Sequence, residues 1–355
     1  MVCNQFTKHI RLDTVYMDKN VNTPLVTVLM PVYNADLYLK EAVESILAQS
    51  YSHFELLIIN DGSVDGSVNI IKSFTDERVH LVENETNLGL IATLNKGFDL
   101  AKGKYIARMD ADDVALPNRL KEQVVYLEKN EEVGVYGCGY VDLKHEQEGK
   151  QTVFLSDHDA LKSVLFFNSC MGHPTVMFRT ELLRANELKY NPEFKHAEDY
   201  EFWVRTIELT KFSNSPKVLL QYRIHDKQVS TTEAAAQKVV AAHIRLFMIE
   251  KLGIKPTDTE MYIHNSIGNK ETLKGFENVQ RAELWLMKLI QANDQKHHVK
   301  TDKFKAYLSL IFQDICANAS VGLRAYRFYK RSALSHYGNQ SFMFKLKLMV
   351  KCLVR

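Results

Sequence analysis

Tyr105-Ile-Ala-Arg-Met-Asp-Ala-Asp-Asp113 sets an apolar, strand-like run against three carboxylates within four residues. Such a cluster is costly unless a cation or a ligand neutralises it. Asp110 and Asp112 can converge on one hard divalent metal and leave open positions for diphosphate oxygens. The competing reading is a polar loop whose carboxylates cap the next helix. The neighbouring sequence decides between them.

Upstream, residues 25–30 read as a buried strand stopped by Pro31. Residues 36–49 have helical periodicity, with Leu39, Val43, Ile46 and Leu47 on one face. Strand-like runs follow at 54–59, 79–82 and 104–109, separated by helical patterns at 68–74 and 90–101. This alternation predicts crossover units, and hence an α/β, Rossmann-like, mainly parallel sheet with flanking helices. In such sheets ligands bind outside the carboxyl ends of the strands. Three polar turns, Pro31-Val-Tyr-Asn34, Asn60-Asp-Gly-Ser63 and Asp110-Ala-Asp-Asp113, are therefore expected on one edge. Downstream, 120–130 and 159–167 read as helices, 134–141 as a strand, and another helix opens at Glu198. Past about Ser230 the pattern becomes long and helical, at 234–251, 278–292 and 304–317. The expected division is a lead-in at 1–22, a catalytic domain at 23–232 and a helical C-terminal extension at 233–355.

The formal net charge of +2 gives no case for nucleic acid as a partner. Cys3, Cys138, Cys170, Cys316 and Cys352 lie far apart without a CxxC pair, which fits reduced thiols in a cytoplasmic compartment. Residues 1–22 lack the apolar core of a secretory signal, and no run approaches a membrane-spanning length.

Several motifs stand in order: Pro31-Val-Tyr-Asn34, Asn60-Asp-Gly-Ser63, Asn87-Leu-Gly89, Asp110-Ala-Asp112, Pro117-Asn-Arg119, Glu198-Asp199 and Tyr222-Arg-Ile-His225. With these, the stretch from about Thr23 to Ser230 resembles the family 2 glycosyltransferases of GT-A fold. The resemblance implies an inverting transfer of a sugar from a nucleotide donor to a hydroxyl acceptor. Members closest to this pattern commonly build bacterial surface polysaccharides.

The resemblance gives each motif a role. Asp61 would accept the ring N–H of uracil, a bond thymine offers equally, with Tyr33 packing on the base and Pro31 and Asn34 beside it. Asn87 and Gly89 would form the loop next to the diphosphate. Asp112 would bind Mn²⁺ or Mg²⁺, with Asp110 nearer the ribose or sharing the metal, Asp113 in reserve, and His225 completing the shell. Arg108 and Arg119 can pair with these carboxylates or contact phosphate, and Arg223 can meet the diphosphate or form a surface ion pair. Asp199 would be the catalytic base, in the first turn of its helix where the dipole favours its ionised form, and Glu198 would orient it or the acceptor. His173 falls on the acceptor side; Trp203 and Phe202 are expected to pack the base helix against the core, with Trp203 on the acceptor side if its ring is exposed to stack on a sugar.

Residues 321–355 carry eight Lys or Arg and no Asp or Glu. On a helical wheel Phe342, Leu346, Met349 and Leu353 share one face, and Lys347, Lys351 and Arg355 another. A basic amphipathic helix of this kind suits the cytoplasmic face of a membrane and a glycan or lipid-linked acceptor. Two rivals remain: a nucleotidyltransferase, which usually has an early Gly-rich loop with Lys that is missing here, and a non-catalytic membrane-associated sugar-binding adaptor.

Overall fold

The computed structural model describes residues 23–226, 228, 232–337 and 348–352. Residues 1–22 and most of the wheel pattern at 342–355, including Phe342, Leu346, Lys347, Leu353 and Arg355, lie outside the described residues. The chain divides into two compact units. The first takes in the described residues up to Phe154 with Met171–Tyr190 and Ser213–His225; the second takes in Leu155–Cys170, Asn191–Phe212 and the described residues from Asp226 onward.

The first unit is built on a sheet whose strands are β1 (Val26–Val32), β2 (Phe54–Asn60), β3 (Val79–Glu83), β4 (Tyr105–Arg108), β5 (Val114–Ala115), β6 (Val133–Lys144), β7 (Gln147–Thr152), β8 (Met177–Arg179) and β9 (Lys211–Arg223). Their spatial order is β3-β2-β1-β4-β8-β6-β9-β5, with β7 beside β6. The first four are parallel. They are joined by α1 (Leu39–Leu47), α2 (Ser67–Lys72) and α3 (Leu90–Leu100). After β4 the crossovers stop, and β8 pairs antiparallel with both β4 and β6, so the sheet is mixed.

β2 is buried along its whole length, as expected for a parallel strand covered on both faces. Alternate residues of β1 serve the two faces. Val26, Val28, Met30 and Val32 share a core with Leu39, Val43 and Ile46 of α1 and with Leu120, Val124 and Leu127 of α4 (Arg119–Lys129). Leu29 points the other way, where its methyls lie so close to Gly97 of α3 that a Cβ there would collide with them.

Pro31 does not stop β1; it is paired in register with Ile59. The reason is local. The Leu29 carbonyl accepts from Met109 N–H on the β4 side, and the Val32 carbonyl accepts from Asp61 N–H on the β2 side. Pro31 shares Leu29's side, past the last β1–β4 partner pair Leu29–Arg108, so its missing N–H leaves no ladder bond unmade.

Among its described residues the second unit is largely helical: α5 (His158–Val164), α7 (Glu198–Thr206), α8 (Ala234–Lys251), α9 (Asp258–Gly268), α10 (Phe276–Lys296), α11 (Thr301–Asn318) and α12 (Leu323–Arg331), while α6 (Thr180–Ala185) belongs to the first. The turn that ends α5 is held by two buried polar side chains. His264 Nε2–H donates to the Phe166 carbonyl at 2.7 Å, while its Nδ1 accepts from the Trp285 indole at 3.1 Å. Arg245 Nε donates to the Phe167 carbonyl at 2.8 Å. Burial drives the His264 pKa down to about 3, so the ring is neutral here. An unfolded chain takes up this proton near the ordinary histidine pKa of about 6.5, whereas the folded chain does so only near 3. The stability tied to neutral His264 is therefore complete above about pH 6.5 and declines as the pH falls towards 3. Urea denaturation of wild type across this range should show the decline, and a His264→Gln protein, less stable at neutral pH, should show a shallower one.

Candidate active site

The four parallel strands leave one topological gap. The chain leaves β1 for β2 on one side and returns in β4 on the other, so their carboxyl ends splay open between them. The loops after β1, β2 and β4 share this edge, as the sequence implied. The first two are stitched together. Asn34, at φ 48°, donates its N–H to Ser63 Oγ at 3.0 Å and accepts on Oδ1 from Val64 N–H at 2.9 Å. Pro31 is half-buried, and Tyr33 beside it is 50% exposed, so its ring faces solvent.

Asp61 is buried, yet its carboxylate is well supplied with donors. Oδ1 accepts from Asn84 Nδ2 at 2.8 Å and Leu88 N–H at 2.9 Å, and Oδ2 accepts from Gly89 N–H at 2.8 Å. It therefore shapes the Asn87-Leu88-Gly89 loop, where Asn87 Oδ1 also accepts from Gly89 N–H at 2.9 Å. Gly89, at φ +89°, turns the chain into α3. Gly62 is required twice over: its φ is +71°, and a Cβ would meet the Thr86 carbonyl carbon at 2.7 Å and Asn87 N at 2.8 Å. Lys96 donates to Asn84 Oδ1 at 2.7 Å and orients the amide that holds Asp61.

At the end of β4, Asp110, Asp112 and Asp113 each present a carboxylate oxygen, all within 4.8 Å of one another. Burial first, and then the Asp110 and Asp112 charges, push the Asp113 carboxyl well above the usual range. Asp113 is fully buried; Oδ1 accepts Arg223 N–H at 2.9 Å, and Oδ2 is a buried oxygen with no hydrogen-bond partner. Hard oxygen donors, like-charge crowding and an orphaned buried oxygen together fit a divalent cation such as Mg²⁺ or Mn²⁺.

Cations already surround this loop. The buried Arg108 pairs with Asp110, and its Nε is a buried nitrogen with no partner. Arg119 is fully buried and donates to the Arg108 carbonyl at 2.5 Å, so it clamps backbone and does not face a ligand. His225 Nε2 lies 2.9 Å from Asp112 Oδ2. Arg223 is buried and held from three sides: it pairs with Glu41 of α1, with Glu146 of the β6–β7 turn at 2.6 Å, and donates Nε–H to the Asp112 carbonyl at 2.9 Å. Its guanidinium also lies over Tyr38, 4.5 Å from the ring centroid, and the same ring stands 5.2 Å from that of His225. Arg223 thus makes ion pairs, buried on its own side and solvent-facing on the side of Glu41 and Glu146.

β5 and β9 explain how residues more than a hundred positions apart meet. Val114 and Ala115 pair with Gln221 and Leu220, which carries Arg223 and His225 to the acidic loop. Nothing in the sequence singles out Glu41, Glu146 or Asn84; each looks like an ordinary helix, turn or loop residue.

His173 also belongs to the first unit, where its Nε2 is 2.8 Å from Tyr190 Oη. Its burial, and then the Arg108 charge, push its pKa well below the ordinary histidine value. Glu198, Asp199 and Trp203 lie in the second unit. Glu198 and Asp199 occupy the first turn of α7, and Asp199 Oδ2 accepts from Ser169 Oγ at 3.2 Å. Trp203 is fully buried and edge-on to Phe202 and Phe212, with ring centroids 5.5 and 5.9 Å away. That corrects the acceptor-side assignment: a ring with no exposed face packs the helix and cannot stack on a sugar.

Residues 27–185 match the family model described as Glycosyl transferase family 2. An uncharacterised glycosyltransferase of Haemophilus influenzae is 33% identical over 249 residues, spanning 66% of this chain and 77% of that protein. The O-antigen biosynthesis glycosyltransferase WbnJ of Escherichia coli is 32% identical over 230 residues, spanning 63% of this chain and 89% of WbnJ. Among solved structures, S. aureus TarS 1–349 in complex with UDP-GlcNAc aligns with a TM-score of 0.54 at 17% identity, covering 88% of this chain and 89% of that one. At that identity the likeness speaks for the fold alone.

The Arg223 junction makes a direct prediction. Breaking a fully buried ion pair costs about 3–5 kcal/mol, but Glu41 and Glu146 face solvent, so Arg223→Ala should cost about 2 kcal/mol of stability in urea titration. Arg223→Lys should recover little of it, because an ammonium cannot reach three partners in a planar fork.

Proposed function

The chain belongs to glycosyl transferase family 2, with the GT-A fold, and from that premise we propose that it transfers a sugar, with inversion, from a UDP-sugar to a hydroxyl of a glycan or lipid-linked acceptor. The observation that carries this reading is the acidic loop: three carboxylates at the strand-end gap, one with an orphaned buried oxygen. The complex of TarS with UDP-GlcNAc and the O-antigen role of WbnJ support a nucleotide-sugar donor and a surface-polysaccharide product.

Each residue then has a task. Asp61 has two oxygens with roughly four acceptor positions; three are taken by Asn84, Leu88 and Gly89, and the fourth receives the pyrimidine N–H. Tyr33 packs its exposed ring on the base, flanked by Pro31 and Asn34. The Asn87–Gly89 turn lines the diphosphate side. Asp112, Asp110 and Asp113, with His225, would hold Mg²⁺ or Mn²⁺, which when bound supplies positive charge against the charge that builds on the departing diphosphate. Arg108, with its partnerless Nε, adds positive charge on the same side. Arg223 keeps the loop in shape through its carboxylate partners.

In the transfer, the acceptor oxygen forms its bond to the anomeric carbon as the carbon–oxygen bond to the diphosphate breaks on the opposite face. The leaving oxygen keeps the electron pair. Asp199 takes the acceptor proton, and Glu198 positions Asp199 or the acceptor. Ser169 donates to one Asp199 oxygen and steadies the carboxylate.

Asp199→Asn should bind UDP within about twofold of wild type by calorimetry and lose transfer by a factor of about 10²–10⁴. Unchanged turnover in that protein sinks the base assignment. Asp112→Ala should abolish the gain in UDP affinity that Mn²⁺ gives the wild type. A wild type whose UDP affinity ignores Mn²⁺ and chelator alike would remove the metal from the proposal.

A further inference from the structure

The described residues of the second unit carry a cationic face that the transfer reaction does not use. In α12, Leu323, Arg324, Arg327, Lys330 and Arg331 are exposed, while Ala325 and Tyr329 are buried. At 3.6 residues per turn the exposed set falls within an arc of about 120°. The buried side packs through Phe328 against Phe276 and Phe312, with ring centroids 5.2 and 6.3 Å away. Beside this helix, Gly322 lies near the Cys352 carbonyl, and the short helical turn at 348–352 exposes Val350 and Lys351.

None of Arg324, Arg327, Lys330, Arg331 and Lys351 has a carboxylate partner among the described residues. Elsewhere in this unit some exposed cations are paired, Lys238 with Glu271, Lys288 with Glu260 and Arg281 with Glu277, whereas Lys255, Lys270 and Lys274 stand singly among the described residues; α12 differs in gathering its cations on one face. Residues 315–355 contain no Asp or Glu at all, so the surrounding sequence offers these cations no carboxylate side chain. Two exposed aliphatic side chains, Leu323 at 36% and Val350 at 48%, sit among these cations. A soluble polyanion would need the charges alone. Cations interleaved with exposed aliphatic groups match a surface that is anionic outside and apolar just beneath.

We propose that the α12 face docks the protein on an anionic phospholipid bilayer, which would bring the catalytic chain to a lipid-anchored acceptor. The docking rests on this face and is read out without transfer. Among the described residues no helix is long and apolar enough to cross a membrane.

Full-length protein is sedimented with vesicles of pure phosphatidylcholine and of phosphatidylcholine with about a third phosphatidylglycerol, at about 0.1 M salt. Binding to the anionic vesicles alone, weakened at about 0.5 M salt, is expected. Three neutralised charges should weaken partitioning roughly a hundredfold, so the Arg324→Gln, Arg327→Gln, Lys330→Gln protein should remain in the supernatant while binding UDP as wild type does. Retained UDP binding and an unchanged far-UV spectrum confirm that this variant is folded; if it is not, the salt dependence of wild type decides for or against docking. Equal sedimentation with both vesicle types, or binding to soluble polyphosphate with none to anionic vesicles, overturns the proposal. Because UDP binding is measured without vesicles, failure of docking and failure of the donor assignment are distinguishable.

Discussion

Like-charge repulsion at the end of β4 organises much of the first unit. Three carboxylates within 4.8 Å of one another cannot all be ionised in a partly buried loop without help. The chain supplies that help from four directions: Arg108 from the strand itself, Arg223 through its backbone N–H and side chain, His225 against Asp112, and Arg119 through the Arg108 carbonyl. Even so, one Asp113 oxygen is left with nothing to bond. That oxygen, together with the crowding of three carboxylates, fits a loop that can take a cation.

The parallel half was legible because its physics is local. Buried strands of apolar residues, helices with one apolar stripe and polar turns at the strand ends follow from residue type and spacing. Of the antiparallel half only β6, read as a strand at 134–141, was legible. β9 begins Lys211-Phe-Ser-Asn-Ser-Pro-Lys217, where polar residues and a proline mask the strand signal, although Phe212, Ser213, Asn214 and Ser215 are all buried. β5 is two residues long and exists only because β9 is there to pair with it. Long-range partners set both elements, and one sequence does not display them.

The same division runs through the site. Asp61, Asp110 and Asp112 announce themselves by standing after buried strands. Their supports do not: Asn84 and Lys96 hold Asp61, while Glu41, Glu146 and Tyr38 hold Arg223. Trp203 left two readings open, packing or a sugar platform, and its burial selects packing. An aromatic next to an acidic helix start can look like a sugar platform, but this ring is fully buried, with Phe202 and Phe212 edge-on among its neighbours. Residue type proposes a role, and burial decides it.

The turn after α5 has a consequence for modularity. Phe166 and Phe167 are pinned by His264 and Arg245, and two residues further on Ser169 reaches Asp199. The C-terminal helices are thus structural parents of the segment that steadies Asp199. Recombination between relatives at the start of α8 would exchange those parents while leaving every recognisable motif intact. Chimaeras of this family can therefore inherit a complete set of signature residues and still lose the scaffold that keeps one of them in place.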